Sequence, residues 1–369
     1  MMIGSDIMGG AETVLLQLAG EIRARGHRVI TISVVNPVAP LPNEGWLTQA
    51  FRDGGFEWRQ YHQARALDWR CVRELVAMIR QTGAQVVHSH EFAMAVYGTA
   101  ATRWARRPHV ITMHGSQDMM DRLRRRLALR WALRRSAVTA AVSEDTQRYL
   151  LQRLRLPPAA IRLIRNGIPH RPGDARRIRQ ELRLAEGEPL ILSVGNLIPR
   201  KGHIVLLRAL ASLGDDGTER AWRLAIAGGG PEREPLEEFS ASHGLAGRVH
   251  LLGPRNDIPD LQAAASIFVM PSLWEGLPLA VLEAMFAGSA IIASKTSGIP
   301  EAITDGVDGV LLPPGDPAAL AAALRTVLDS PGRRQELGAA ARRRADAAFS
   351  IRIMADAYEA VYRALSVAW

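Results

Sequence analysis

The sequence predicts an α/β protein made of two Rossmann-like, doubly wound domains facing each other across a cleft. Three observations predict it. Short β-branched runs alternate with longer amphipathic helical patterns along most of the chain, as in βαβ units with parallel sheets. The 369 residues suit two domains of ordinary size. Near the middle, Pro169-His170-Arg171-Pro172-Gly173-Asp174 puts two prolines and a glycine into six residues, a linker composition.

In the first half, strands are expected at Arg28–Val35, Gln85–His90, His109–Met113, Val138–Val142 and Ile161–Arg165. Helices are expected at Glu12–Arg25, Trp69–Gln81, Phe92–Trp104, Asp121–Arg135 and Glu144–Arg153. Before the first helix only Met1-Met2-Ile3 is left for a strand, so that strand is either very short or clipped. The second half repeats the style. Its strands read as Leu190–Val194, Arg223–Ala227, Val249–Leu252, Ile267–Met270, Ala290–Ala293 and Val310–Leu312. Its helices read as His203–Leu213, Glu232–His243, Asp257–Ala265, Leu277–Ala287, Pro317–Leu328 and a long C-terminal stretch. The expected boundaries are 1–168 for the first domain, 169–186 for the linker and 187–350 for the second domain. Ligands of such sheets bind beyond the carboxyl ends of the strands.

Composition bounds the function. The hydrophobic share is 47% and the charged share 22%, a globular balance that argues against disorder. The single cysteine, Cys71, excludes a disulfide framework and multi-cysteine zinc sites, and it fits a reducing compartment. No apolar stretch reads as a clean membrane span, and the first residues lack the basic region of a signal peptide. The cytoplasm is the expected location. The formal charge of +9 comes from 46 Lys+Arg against 37 Asp+Glu, and only Lys201 and Lys295 are lysines. The arginines are spread over the whole chain, which argues against a nucleic-acid footprint.

Several constellations carry chemistry. Gly9-Gly10-Ala11-Glu12 opens a helix after the first strand, a place where backbone can approach a phosphate. Val194-Gly195-Asn196 leads to Arg200-Lys201-Gly202, where a forked guanidinium and a point charge side by side suit a diphosphate. Gly228-Gly229-Gly230 reads first as a turn, with close approach to a ligand as the alternative. In Pro271-Ser272-Leu273-Trp274-Glu275-Gly276-Leu277-Pro278, Glu275 ends a loop, and Glu283 follows in the next helix. Eight helical residues would separate the two acids by about 12 Å. That separation lets two carboxylates grip the sugar and ribose hydroxyls of a sugar nucleotide. Glu283 is flanked by Leu282, Ala284, Met285 and Phe286, so burial with a polar partner is expected.

Two further features need weighing. His88-Ser89-His90 places two rings on one face of a strand. No acid cluster supports a metal there, and no Asp-x-Asp occurs anywhere, so no metal is expected. His114, in a loop at the sheet's carboxyl edge, reads as a polar contact to substrate. The segment 120–135 holds seven arginines against Asp121, with Met120, Leu123, Leu127 and Trp131 in a helical stripe. The stripe is expected to pack on the sheet as in any core helix. Peripheral contact with an anionic membrane is the alternative.

Taken together, in order and spacing, these motifs resemble the GT-B-fold retaining glycosyltransferases of family 4. The resemblance also includes His114-Gly115, Ala141-Val142-Ser143-Glu144, Asn166-Gly167-Ile168, Gly298-Ile299-Pro300-Glu301, Asp305-Gly306-Val307-Asp308-Gly309 and Pro313-Pro314-Gly315-Asp316. It implies an acceptor-side first domain completed by a C-terminal helix within 351–369, and a donor-binding second domain. Arg200 and Lys201 would hold the donor diphosphate, Glu283 the ribose and Glu275 the sugar hydroxyls. Gly195, Gly229, Gly276 and Leu277 would line the donor site. The loop of Gly9, Gly10 and Glu12 would approach the phosphates, and His114 would contact the donor sugar near its reacting carbon. The donor substrate would be a UDP- or GDP-linked sugar, with no cofactor and no metal. The acceptor would be a glycan or a polyprenyl- or other lipid-linked molecule, with work at the inner face of the plasma membrane. The implied reaction is front-face substitution with retention. A sugar-nucleotide epimerase or phosphorylase on the same fold stays open, as does a non-catalytic membrane-surface binder.

Overall fold

The structure is a computed structural model, and it describes residues 1–6, 9–35, 45–62, 68–115, 122–214, 217–218 and 220–367. The chain divides into two compact units. The first comprises Met1–Pro169 with Ile351–Trp369, and the second His170–Ser350.

The first unit carries seven strands: β1 (Met2–Ile3), β2 (Ile30–Val35), β3 (Glu57–His62), β4 (Val87–His90), β5 (His109–Met113), β6 (Val138–Ala141) and β7 (Arg162–Leu163). All pair in parallel, in the order β3-β2-β1-β4-β5-β6-β7. Between them run α1 (Gly10–Ala24), α2 (Trp46–Asp53), α3 (Trp69–Thr82), α4 (Glu91–Ala105), α5 (Leu123–Arg135) and α6 (Glu144–Arg153). The short first strand is central: Met2 pairs with both Ile32 and Ser89. Its two side chains are fully buried, so two residues suffice where both neighbours supply the ladder. Asp68 caps α3 and Ser143 caps α6, each accepting backbone N–H bonds in the first turn. One part of the core packs Ile111, Met113 and Ala141 against Leu129, Leu133 and Leu150. Another packs Met2, Ile32 and Val34 with Val72, Leu75 and Met94.

The second unit begins with α7 (Ala175–Glu181), followed by β8 (Leu190–Val194), α8 (His203–Ala211), β9 (Arg223–Ala227), α9 (Arg233–Ser242), β10 (Val249–Gly253) and α10 (Ile258–Ala264). It continues with β11 (Ile267–Met270), α11 (Leu279–Ala287), β12 (Ala290–Ser294), α12 (Ile299–Ala302), β13 (Val310–Leu312), α13 (Pro317–Asp329) and α14 (Pro331–Ala348). Its six strands are also parallel, in the order β10-β9-β8-β11-β12-β13. The chain winds one way from β8 and the other way from β11, so the topological switch point lies between them.

Two sequence expectations change, and the C-terminal stretch resolves into separate elements. The stretch 169–186, read as a linker, contains α7, and Arg177 of α7 is ion-paired to Asp260 of α10. Asp174 caps that helix, a signal hidden among the prolines. The long C-terminal stretch is two helices: α14 belongs to the second unit, and α15 (Ile351–Val367) returns to the first. There Arg25, the residue that ends α1, pairs with Asp356 and Glu359 of α15.

The second change is in α5. Leu123 is 59%, Leu127 56% and Trp131 40% exposed, so the apolar stripe faces away from the core. Leu129, Ala132 and Leu133 do the packing instead. The helix has two apolar faces, and the sequence reading chose the outer one. Met120 and Asp121 lie outside the described residues.

Candidate functional site

The site of the second unit is built on the two loops that flank its switch point. The loop after β8 carries Arg200 and Lys201 in a single 3-10 turn, Pro199–Lys201. The loop after β11 carries Ser272, Trp274 and Glu275. Several contacts stitch the loops together. The Leu273 backbone N–H donates to the Arg200 carbonyl at 2.8 Å. Gly202 has φ +68°, and a Cβ there would lie 2.1 Å from the Pro271 carbonyl oxygen, so only glycine fits. Arg200 donates to the Trp274 carbonyl at 3.4 Å, and its guanidinium lies 5.1 Å from the indole ring centre.

Lys201 and Glu275 meet directly. Lys201 Nζ donates to Glu275 Oε1 at 2.6 Å, with the two side chains 15% and 8% exposed. Ser272 Oγ donates to the same oxygen at 2.8 Å. Glu275 Oε2 takes no bond among the described residues. A charge pair this enclosed costs desolvation that its attraction only partly returns, so its value lies in position.

The glycines shape the lobe around this pair. The Cβ of any residue at 195 would lie 3.3 Å from the Lys201 side chain. Gly228 packs its Cα against the Gly195 carbonyl, where a Cβ would lie at 1.9 Å. Gly229 lies against Pro254. The three-glycine run therefore permits close approach of one loop to another, more than a turn alone requires. Gly276 and Leu277 lie between Glu275 and α11, and no side chain caps that helix.

Glu283 is half-buried in α11 and makes no hydrogen bond among the described residues. Desolvation pushes its carboxyl up to about 7, and Arg171 pulls it the other way. The expected 12 Å between Glu275 and Glu283 assumed helix throughout. Only Leu279 onward is helical, so the helical part of the span is about 6 Å.

In the first unit, the Gly9-Gly10 turn and His90-Glu91 follow β1 and β4, the strands flanking its own switch point. Glu12 lies in the first turn of α1. Its carboxylate accepts from Ser5 and sits where a side chain on Gly9 would run into it. Desolvation raises its pKa, with Ser5 opposing. The carboxylate thus stabilises the helix start and braces the loop, and it brings negative charge to the place expected to meet phosphates.

His114 follows β5. Its Nε2 lies 2.9 Å from His90 Nδ1, and its backbone N–H donates to Glu91 Oε1 at 3.1 Å. Glu91 adopts φ +65°, costly for a residue with a side chain. Burial lowers the His114 pKa to about 3, so the ring is neutral. Sequence reasoning missed Ser272, His90 and Glu91 as supports. The His-x-His spacing pointed to two rings on one face, which the 4.3 Å between the His88 and His90 ring centres agrees with. Among the described residues no group of three or more His, Cys, Asp or Glu is placed to hold a metal ion.

Two parallel doubly wound sheets, with a cation–carboxylate pair at the switch point of the second, define an α/β protein of two Rossmann-like units. Comparison with known proteins narrows it. The family model described as Glycosyltransferase Family 4 matches residues 8–171, and the one described as Glycosyl transferases group 1 matches residues 174–344. The chain belongs to the GT-B-fold glycosyltransferases of family 4, group 1.

Among curated relatives, the D-inositol 3-phosphate glycosyltransferase of Streptomyces avermitilis is 36% identical over 186 residues, 48% of this chain and 40% of that protein. A GDP-mannose-dependent alpha-(1-6)-phosphatidylinositol monomannoside mannosyltransferase of Mycolicibacterium smegmatis is 34% identical over 179 residues, 46% of each chain. The chain thus spans less than half the length of these relatives. Among solved structures, a glycosyltransferase from Rickettsia africae superposes with a TM-score of 0.84 at 19% identity, covering 99% of this chain and 97% of that one. Anabaena HepE, solved with UDP and glucose, gives 0.83 at 24% identity, covering 99% and 100%. These likenesses show the fold.

Proposed function

We propose that the protein transfers a sugar, with retention of anomeric configuration, from a nucleotide-diphosphate donor to a glycan or lipid-linked acceptor, without a metal ion. The observation that carries this reading is the Lys201–Glu275 pair at the second unit's switch point, with Arg200 beside it. Arg200 and Lys201 hold the diphosphate and stabilise the charge that builds on it as the glycosyl bond breaks. The uncapped N-terminus of α11 adds to that field. Glu275 offers Oε2 to the donor sugar's hydroxyls, and Glu283 accepts from the ribose. Gly195, Gly229, Gly276 and Leu277 let the ligand approach backbone. On the first unit, the Gly9-Gly10 loop and His114 are assigned to substrate contact. His114 acts there as a neutral polar group. Departure and attack take place on one face of the sugar, with the leaving phosphate accepting the acceptor's proton.

The inositol-phosphate and phosphatidylinositol substrates named for the relatives suggest a phosphorylated or lipid-borne polyol as acceptor. Replacing Lys201 with Ala, or Glu275 with Gln, is expected to cut turnover at least about a hundredfold in folded protein. Unchanged turnover in both would remove the assignment. Release of an epimerised donor with no acceptor consumed would favour the epimerase reading.

A second observation supports work at a membrane surface on the cytoplasmic side. Leu123, Leu127 and Trp131 are exposed on α5, among Arg124, Arg125 and Arg134. A basic helix with an outward apolar stripe suits anionic lipid. No helix among the described residues is long and apolar enough to cross a membrane. Binding to anionic vesicles is expected to fall with salt and to drop when Arg124, Arg125 and Arg126 are neutralised. Binding that ignores both would make α5 a structural helix.

A further inference from the structure

The first unit buries a chain of rings beneath His114. His90 is fully buried. Its Nδ1 meets His114 Nε2 at 2.9 Å, and its Nε2 has no hydrogen-bond partner among the described residues. The two rings lie within 21° of parallel, which allows an in-plane N–H···N bond. On the other side, the His88 ring packs 4.3 Å from that of His90. His88 is pinned at both nitrogens, to Tyr362 Oη at 2.6 Å and Thr112 Oγ1 at 2.7 Å. Thr112 Oγ1 meets Tyr358 Oη at 2.6 Å. Both tyrosines come from α15, so the returning helix fixes the wall against which His90 lies.

A neutral imidazole carries one N–H, so the His90–His114 contact has two possible proton arrangements. If His114 donates, His90 must carry its proton on Nε2, deep in protein with nothing among the described residues to accept it. A buried N–H without an acceptor is among the rarest features of native proteins. If His90 donates from Nδ1, the buried Nε2 is only a bare lone pair, and His114 Nε2 is the acceptor. His114 must then carry its own proton on Nδ1. Burial holds both rings below their ordinary pKa, so a shared extra proton does not complicate the choice.

We infer that His90 is a positioning residue that locks His114 in the Nδ1–H tautomer, leaving His114 Nδ1, which has no partner among the described residues, as a fixed hydrogen-bond donor toward substrate. The opposite tautomer would present a lone pair there and would accept instead. The direction matters because a donor can bind an oxygen that gains negative charge, whereas a lone pair would repel it. Glu91 completes the clamp by holding the His114 backbone N–H, at the expense of its own left-handed backbone.

The tautomer can be read without any activity assay. Long-range proton–nitrogen correlation spectra of uniformly 15N-labelled protein at neutral pH distinguish the two ring patterns, and a His114→Gln sample assigns the signal. In the native protein His114 is expected as Nδ1–H. In His90→Leu it is expected to move to the Nε2–H form that free imidazole prefers. An Nε2–H pattern in the native protein overturns the inference, as does a pattern unchanged in His90→Leu. If the leucine variant does not fold, the native spectrum decides alone.

The kinetic arm rests on the glycosyl-transfer reading, and the spectroscopic arm does not, so the two can fail separately. His90→Leu is expected to lower kcat about tenfold or more with KM for the donor changed less than about threefold, the size of one lost transition-state hydrogen bond. His90→Asn, whose amide can donate from near the Nδ1 position, is expected to recover kcat to within about threefold of the native value. Equal losses in the leucine and asparagine variants would mark His90 as packing only and overturn its positioning role.

Discussion

Replacing Glu283 with Gln should make the protein more stable and a poorer binder of nucleotide. The carboxyl sits half-buried in α11 without a hydrogen-bond partner among the described residues, and desolvation raises it to about 7. In the unfolded chain it titrates near 4.5, as an ordinary glutamate does. Between those values the folded protein holds a proton that the unfolded chain has lost, so stability falls as pH rises through that window. Above about pH 7 the loss is complete. At 1.36 kcal/mol per tenfold it amounts to about 3 kcal/mol.

Glutamine keeps the shape and removes the charge. Thermal unfolding of the second unit should therefore rise by several degrees at pH 8 in Glu283→Gln, at about 2–4 °C per kcal/mol for a unit of this size. Below about pH 4, where the glutamate is protonated in both the folded and the unfolded chain, the two proteins should unfold together. Calorimetric titration with nucleotide should show weaker binding by the variant at pH 8. Equal or lower stability of the variant at pH 8 would refute the reasoning, because the glutamate would then be paid for by a partner.

Other consequences are more local. Gly202→Ala must place a Cβ 2.1 Å from the Pro271 carbonyl oxygen at φ +68°, so the variant should lose at least about 1–3 kcal/mol and most of its donor binding, measured by urea unfolding and titration. Tyr358→Phe removes the Oη that meets Thr112 at 2.6 Å in a fully buried site, which should cost about 1–2 kcal/mol in the unfolding of the first unit. Ser272→Ala leaves Glu275 Oε1 with Lys201 alone, and turnover should fall about three- to tenfold in protein of unchanged fold.

Much of this was legible in the sequence, for identifiable reasons. Strands such as Leu190–Val194 and Ile267–Met270 are buried runs between turn signals, and they end where periodicity places them. Arg200, Lys201 and Glu275 were readable because each follows a strand's carboxyl end. Their direct contact was not, since it depends on Gly202 and Leu273 holding two loops 74 residues apart in register.

β3 escaped notice because Glu57–His62 is a half-exposed edge strand without a clean apolar run. The stripe of α5 misled because Leu123, Leu127 and Trp131 have the spacing of a core face, and periodicity alone cannot tell which of two apolar faces turns inward. His90 was visible as half of a His-x-His pair. Its work on His114 depends on β4 and β5 being neighbours, which brings together residues 24 apart.

The proposed site for a nucleotide-diphosphate sugar lies on the loops after β8 and β11, with Arg200, Lys201, Glu275 and Glu283 as its holding groups. Calorimetric titration of UDP, GDP and their sugars into the full-length protein, with a chelator present throughout, tests it most directly. One nucleotide series is expected to bind with the chelator present, and Lys201→Ala is expected to weaken that binding at least about tenfold while leaving the fold intact. Absence of binding by every nucleotide, binding only when a divalent metal is restored, or full affinity in Lys201→Ala would contradict it.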